Sequence, residues 1–317
     1  MKDQDIKNSE SHIDILQIIE ILWKKKLLII SVTSFFAIFS IFFALSLPNK
    51  YQSSSLVKVT EVNNQSSGGA FSSLTAQYGG LASMAGVSLP SSGLDSGTYI
   101  SKIIKSRQFA KHLMSFETIK PKLMAISSYD ISLDKIIYDH EIYDDSRSLW
   151  VREPTGIFQS EPTYLEVHET ALKALEVNIN EKTGLITISF EHLSPVFAQE
   201  FVSIVIREVN NVTREIKLKE SKASLDYLEN ALEAENNRDL KLNINNLILQ
   251  QLNKNMIASV KDDYLISQID PPIVPVYKSS PNRARICILI TLIGIVLSIV
   301  LALISNNFNI KNKSLYE

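Results

Sequence analysis

Residues 27–47 read LLIISVTSFFAIFSIFFALSL and residues 286–304 read ICILITLIGIVLSIVLALI. Neither run holds a charged side chain, and each rises about 30 Å as an α-helix, the thickness of a bilayer's hydrocarbon core. The two runs are read as transmembrane helices. They divide the 317 residues into a leader, 1–26, a middle block of 238 residues, 48–285, and a 13-residue tail, 305–317. Only the middle block is long enough to form a domain.

Charge and cysteine content narrow the function classes. Of 32 basic and 34 acidic residues, the tails hold seven and six, leaving 25 and 28 in the middle block. That block lacks the basic footprint of a nucleic-acid binder, so no nucleic-acid partner is expected. The single cysteine, Cys287, lies inside the second apolar run and reads as a small membrane-buried hydrophobe.

Lys24, Lys25 and Lys26 directly precede the first span and place the leader in the cytoplasm by the positive-inside rule. Lys278, Arg283 and Arg285 outweigh Lys311 and Lys313 around the second span, so the first must set the topology. Both termini are then cytoplasmic and 48–285 is periplasmic in a Gram-negative cell. Ala44-Leu45-Ser46 resembles a signal-peptide cleavage site, but the apolar run is longer than an h-region and an anchor fits better. In the leader, Ser11 and Asp14 open an apolar stretch to Trp23, read as an interfacial helix or a docking helix for a cytoplasmic partner.

The first part of the middle block, 48–193, reads as an α/β base. Leu56, Val57 and Val59 mark a strand over 51–61, and 63–97, with seven of the ten glycines, reads largely as loop. Helices are expected over 99–114 and 164–174. Val177 and Ile179, then Ile186, Ile188 and Phe190, alternate about Glu181-Lys182-Thr183-Gly184 as a β-hairpin.

From 196 to 270 there are 75 residues without Gly or Pro, opened by Ser194-Pro195 as N-cap and first helical residue. Apolar residues recur at helical spacing and are interrupted only at 233–239. A single rod would carry its end far from the second span, so 194–270 is read as a long helical hairpin turning near Asn236. Its stripe, including Leu225, Leu228, Leu232, Ile244, Ile248 and Leu252, is expected to be buried within the hairpin or between subunits. The segment 271–285 follows as a stiff extended connector built on Pro271, Pro272, Pro275 and Pro281, with a PxxP ligand as the rival reading. In the second span, Gly294, Ser298 and Ala302 form a small-xxx-small face. It can receive a helix of a partner protein, or pack the chain's own first span or a neighbouring subunit.

Several of these segments together carry a resemblance. A lysine-flanked span, Tyr51-Gln52-Ser53-Ser54-Ser55, the loop Gly79-Gly80-Leu81-Ala82-Ser83-Met84-Ala85-Gly86, the Ser194-Pro195 helix, a connector closing on Ser280-Pro281-Asn282-Arg283, and a second span occur in this order. Along essentially its whole length the chain resembles the Wzz-type chain-length determinants, polysaccharide co-polymerases of the bacterial inner membrane. The resemblance implies an α+β membrane protein: two transmembrane helices flanking a periplasmic α/β base with a long helical hairpin, assembled as a ring-like homo-oligomer. It also implies that the assembly regulates the chain length of a lipid-linked surface polysaccharide, of O-antigen or capsule type, by scaffolding a separate polymerase. Kinase-bearing relatives carry a Walker motif and a Tyr-rich tail; this chain shows neither and resembles the kinase-free branch.

An enzyme is not expected, and no catalytic, cofactor-binding or metal-ligating residues are assigned. His12, His112, His140, His168 and His192 are scattered. His168-Glu169 opens like a zincin helix, but Leu172 stands where the second ligand belongs. Glu141, Asp144 and Asp145 read as a solvated acidic loop, while Tyr138, Tyr143 and Trp150 keep a saccharide contact open. A transmembrane receptor would need an output module longer than the tail. The alternative that survives is an inner-membrane export subunit coupling an ABC transporter to the outer membrane.

Overall fold

A computed structural model describes residues 22–60, 92–156 and 158–313. Of the expected leader helix from Ser11 to Trp23 only Leu22 and Trp23, both helical, are among the described residues, and the loop 79–86 lies outside them. In chain order, α1 (Lys26–Ser46) is followed by β1 (Tyr51–Val59), then α2 (Ser92–Ile104), α3 (Arg107–Leu113) and α4 (Ile119–Met124). Two strand pairs come next, β2 (Ile126–Asp130) with β3 (Lys135–Tyr138) and β4 (Tyr143–Asp144) with β5 (Leu149–Trp150). α5 (Tyr164–Ala174), β6 (Leu175–Ile179) and β7 (Ile186–His192) precede the long helices α6 (Pro195–Ala234) and α7 (Arg238–Val260). β8 (Ile266–Asp270) and α8 (Arg283–Lys313) come last. This is a mixed helix-and-sheet chain with an apolar helix towards each end, each long enough to cross a bilayer.

The described residues form two compact units, one within 22–49 and 280–313, the other within Lys50–Ser279. The second is built on an antiparallel sheet of order β6-β7-β1-β8. Alternation in β1 buries Tyr51, Ser53, Ser55 and Val57 and leaves Gln52, Ser54 and Lys58 exposed, the pattern of a sheet covered on one face. The first turns of α6 supply that cover. Phe197, Phe201, Val205 and Val209 are fully buried with Ile186, Ile188 and Phe190, and the rings of Phe190 and Phe201 lie 4.2 Å apart. Each of these side chains contributes about 1.5–3 kcal/mol by leaving water.

Local chemistry explains the element ends. Ser194 accepts the Phe197 amide at 3.2 Å and Pro195 takes the first helical position of α6, as its missing N–H allows. A reciprocal capping box, Thr163 with Glu166, starts α5. Gly184, at φ 68°, supplies the left-handed residue of the β6–β7 turn. The helix expected over 99–114 is two helices, because Ser106 is extended and its hydroxyl caps α3 on the Phe109 amide. α6 ends at Ala234, and Asn237 caps α7 by accepting the Asp239 amide at 2.9 Å. The turn therefore falls at 235–237.

The last ten residues of the expected hairpin are not helical. α7 stops at Val260, and 266–270 form β8 on the open edge of β1. Asn210 of α6 explains this: its Oδ1 accepts the Leu265 and Ile266 amides at 2.8 and 2.9 Å, and its Nδ2 donates to the Ile266 carbonyl at 2.9 Å. Three hydrogen bonds from one buried side chain draw the chain off the helix and start the edge strand.

Candidate functional site

Four regions hold the residues singled out in the sequence: the paired spans, the connector, the hairpin surface and the acidic, aromatic ribbon. In the first, α1 and α8 run antiparallel. Lys25 Nζ donates to Ser305 Oγ at 3.3 Å near one end, and Arg283 Nε donates to the Ala44 carbonyl at 3.1 Å near the other. Arg283 also donates to Asn49 Oδ1 at 3.1 Å, so it closes the C-terminal end of α1, where carbonyls lack helical partners. Asn282 accepts the Arg285 amide at 3.3 Å and starts α8. The Asn282-Arg283 pair of the family-like motif thus finishes one span and begins the next.

Between these ends the seam is made of small residues. A Cβ built on Gly294 would stand 2.6 Å from Phe36 Cβ, and Ser40, Ala44, Ser298 and Ala302 are all buried. Ser40 and Ser298 donate back to carbonyls of their own helices, Ala37 and Ile295, so the seam is joined by close packing. The helix that meets Gly294, Ser298 and Ala302 is the chain's own α1. Phe36 fills that face at Gly294, so within this chain the small-residue stripe packs the two spans on one another.

The connector runs beside β1. Pairing of β8 with β1 ends at Leu56 and Asp270, because Pro271 and Pro272 have no N–H to continue it. Serine hydroxyls take over: Ser55 donates to the Asp270 carbonyl at 2.7 Å and Ser53 to the Ile273 carbonyl at 2.8 Å. Both serines are buried, which is why the strand carries small hydroxyl residues on its inner side. Pro272 is buried, Pro275 and Pro281 are half-buried, and Pro271 is exposed.

In the hairpin, half-buried or buried positions follow Arg214, Leu218, Ser221, Leu225, Leu228 and Leu232 on α6, and Ile244, Ile248, Gln251, Asn255 and Ala258 on α7. Steps of three and four residues are the spacing of two helices in continuous contact. Gln251 Nε2 donates to Ser221 Oγ at 2.7 Å across the arms, a polar layer that sets their register. Leu252 is 48% exposed and departs from this face. The reason is geometric: steps of four drift about 40° per turn, so a stripe read as 244, 248, 252, 256 rotates away from its partner. The exposed Leu242, Leu249, Leu252, Met256 and Val260 instead make a second apolar stripe on α7. The outer face of α6 is charged, with Glu215, Lys219, Lys222, Asp226 and Glu229 exposed.

The acidic, aromatic segment forms two small ribbons. Tyr143 is buried between Tyr138 and Trp150, with ring centroids at 5.5 and 4.9 Å, so these rings pack on one another. Asp144 Oδ1 accepts the amides of Ser146 and Arg147, which shapes a turn. His168 reaches the Lys105 carbonyl at 2.9 Å. Among the described residues no three metal-ligating side chains gather.

Three polar residues of structural weight were not visible to pattern reading. Asn210 is one. His192 is another: its Nδ1 accepts the Ser194 amide at 3.1 Å and its Nε2–H donates to the Lys122 carbonyl at 3.0 Å, fixing a neutral tautomer. Burial pushes its pKa down to about 4. The third is Glu208, whose burial alone would raise its carboxyl. Hydrogen bonds from Arg207, His112 and Asn211 outweigh that and hold it below its ordinary value. Each side chain is polar in an apolar helix or strand face, and only its tertiary partners mark it out.

Residues 11–116 match the family model described as Wzz, chain length determinant protein. The match supports the resemblance to the Wzz-type determinants over that stretch, about a third of the chain. The matched stretch takes in α1 and β1, the lysine-flanked span and the serine strand. No curated protein matches the chain. A solved structure titled full-length bacterial polysaccharide co-polymerase is similar at 12% identity and TM-score 0.36, covering 94% of this chain and 98% of its own. A fragment of WzzB, a polysaccharide co-polymerase from Salmonella Typhimurium, is similar at 14% identity and TM-score 0.29, covering 73% and 100%.

Proposed function

We propose that this protein regulates the chain length of a lipid-linked surface polysaccharide, of O-antigen or capsule type, as a non-enzymatic scaffold for a separate polymerase. The observation that carries the reading is the match of residues 11–116 to the chain-length determinant family. The reading places the protein in the bacterial inner membrane, with both termini cytoplasmic and the sheet and hairpin in the periplasm, as a homo-oligomer. The lipid-linked polysaccharide and its polymerase are its partners. With its two spans packed on one another, contact with the polymerase falls to their outer faces or to the periplasmic part. Deleting the gene and separating the surface polysaccharide on a gel tests this. Loss of the modal length with polymer still made is the expected result; loss of all surface polymer would favour an export subunit and overturn the reading.

A further inference from the structure

Among the described residues, the two most exposed large apolar side chains stand side by side in the connector: Tyr277 at 87% and Val276 at 83%. Ile273 is also largely exposed. The loop that carries them is held at both feet. Ser53 Oγ donates to the Ile273 carbonyl at 2.8 Å on one side. On the other, the Ser279 amide donates to the Lys50 carbonyl at 2.9 Å and the Ser279 hydroxyl to Glu191 Oε1 at 2.7 Å. With its ends fixed on β1 and β7 and Pro275 between them, the loop holds its apolar side chains away from the core.

The chain itself states what lies nearby. Lys50 stands three residues beyond Leu47, the last apolar residue of the first span, and Ser279 four before Arg283, where α8 begins. At no more than about 3.6 Å per residue, each foot is within roughly 15 Å of a helix that crosses the bilayer. Charge agrees: no Asp or Glu occurs from 271 to 316, while 271–285 carries Lys278, Arg283 and Arg285. An apolar residue, a tyrosine and a lysine in succession combine a buried body, an amphipathic ring and a snorkelling cation, which is the composition favoured at headgroup level.

We propose that Val276 and Tyr277 dock into the interfacial zone of the bilayer that the two spans cross, with Lys278 reaching lipid phosphates. The connector is then a membrane contact in its own right, and its prolines and serines hold the docking residues in place. This goes beyond the chain-length reading and does not depend on it.

The test uses the full chain, with Cys287→Ala, in nanodiscs of phosphatidylethanolamine and phosphatidylglycerol. A polarity-sensitive fluorophore is attached at Tyr277→Cys, with Tyr227→Cys on the hairpin as the aqueous reference and Leu289→Cys as the membrane reference. Lipids carrying a nitroxide at the headgroup end of the acyl chain serve as quencher. The probe at 277 should be blue-shifted relative to 227 and lose intensity to the lipid nitroxide. Emission like that at 227, without quenching, overturns the proposal. A blue shift without lipid quenching also overturns it, since a protein surface then covers the loop. Quenching at 289 shows that the span is inserted, so a negative result at 277 remains distinct from failure of the two-span reading.

Discussion

His192 is neutral in the folded chain because both ring nitrogens are committed and burial opposes the charged form. An unfolded histidine takes up its proton near pH 6.5, the folded one only near pH 4, so protons favour the unfolded chain. The stabilisation is fully present above about pH 6.5 and is lost as pH falls towards 4, by at most roughly 3 kcal/mol. Thermal unfolding in detergent at pH 7.5 and 5 should show this loss, and His192→Gln should flatten the dependence. Asn210→Ala is expected to cost about 2–4 kcal/mol, because it leaves two amides and a carbonyl buried without partners. Faster hydrogen exchange at Leu265 and Ile266 would accompany it; unchanged exchange there would show that β8 holds itself on β1 alone.

For the paired spans, Gly294→Leu should destabilise the seam by about 1–3 kcal/mol, since Phe36 already occupies the space. Cys287 Sγ lies 3.7 Å from the Ser40 carbonyl, so a Ser40→Cys variant offers a direct readout. Oxidation should link it to Cys287, and Gly294→Leu should lower the yield. For the hairpin, Leu228 and Leu249 make a contrasting pair, one half-buried on the inner face and one exposed on the outer stripe. Leu228→Asp should lower the melting temperature at a cost of roughly 2 kcal/mol. Leu249→Asp should leave the protomer's stability within about 0.5 kcal/mol. On the homo-oligomer reading it should instead reduce the detergent-extracted mass. Equal mass in both variants would remove the outer stripe of α7 as a subunit contact.

Taken as one molecule, the protein is expected to carry reporters fused at Ser128 and at Glu317 in opposite compartments; matching signals would sink the two-span topology. The connector joins sheet to span through Pro271, Pro272, Pro275 and Pro281, and its serine contacts hold it to β1. Replacing Pro281 by alanine should shift the polysaccharide ladder without abolishing polymer. An unchanged ladder, with expression confirmed, would detach the connector from length control.

Some of this was written in residue order alone. Two uncharged runs define helices that cross a bilayer because length and hydropathy are properties of a segment, whatever surrounds it. Ser194-Pro195 and the Gly184 turn are legible for the same reason: a cap or a turn is satisfied within a few residues. The break at 233–239 was visible as the one gap in an apolar stripe. The end of that stripe was not, because 261–270 lacks Gly and Pro, and distant partners, the Asn210 side chain 55 residues away and strand β1, turn it into an edge strand. The inner face of the hairpin could not be drawn by steps of four either, since its true line depends on the partner helix. Which helix fills the Gly294 face, why β1 needs buried serines, and why His192 stays uncharged were likewise decided only in three dimensions. Hydrogen bonds and close packing between segments distant in sequence leave no periodic trace.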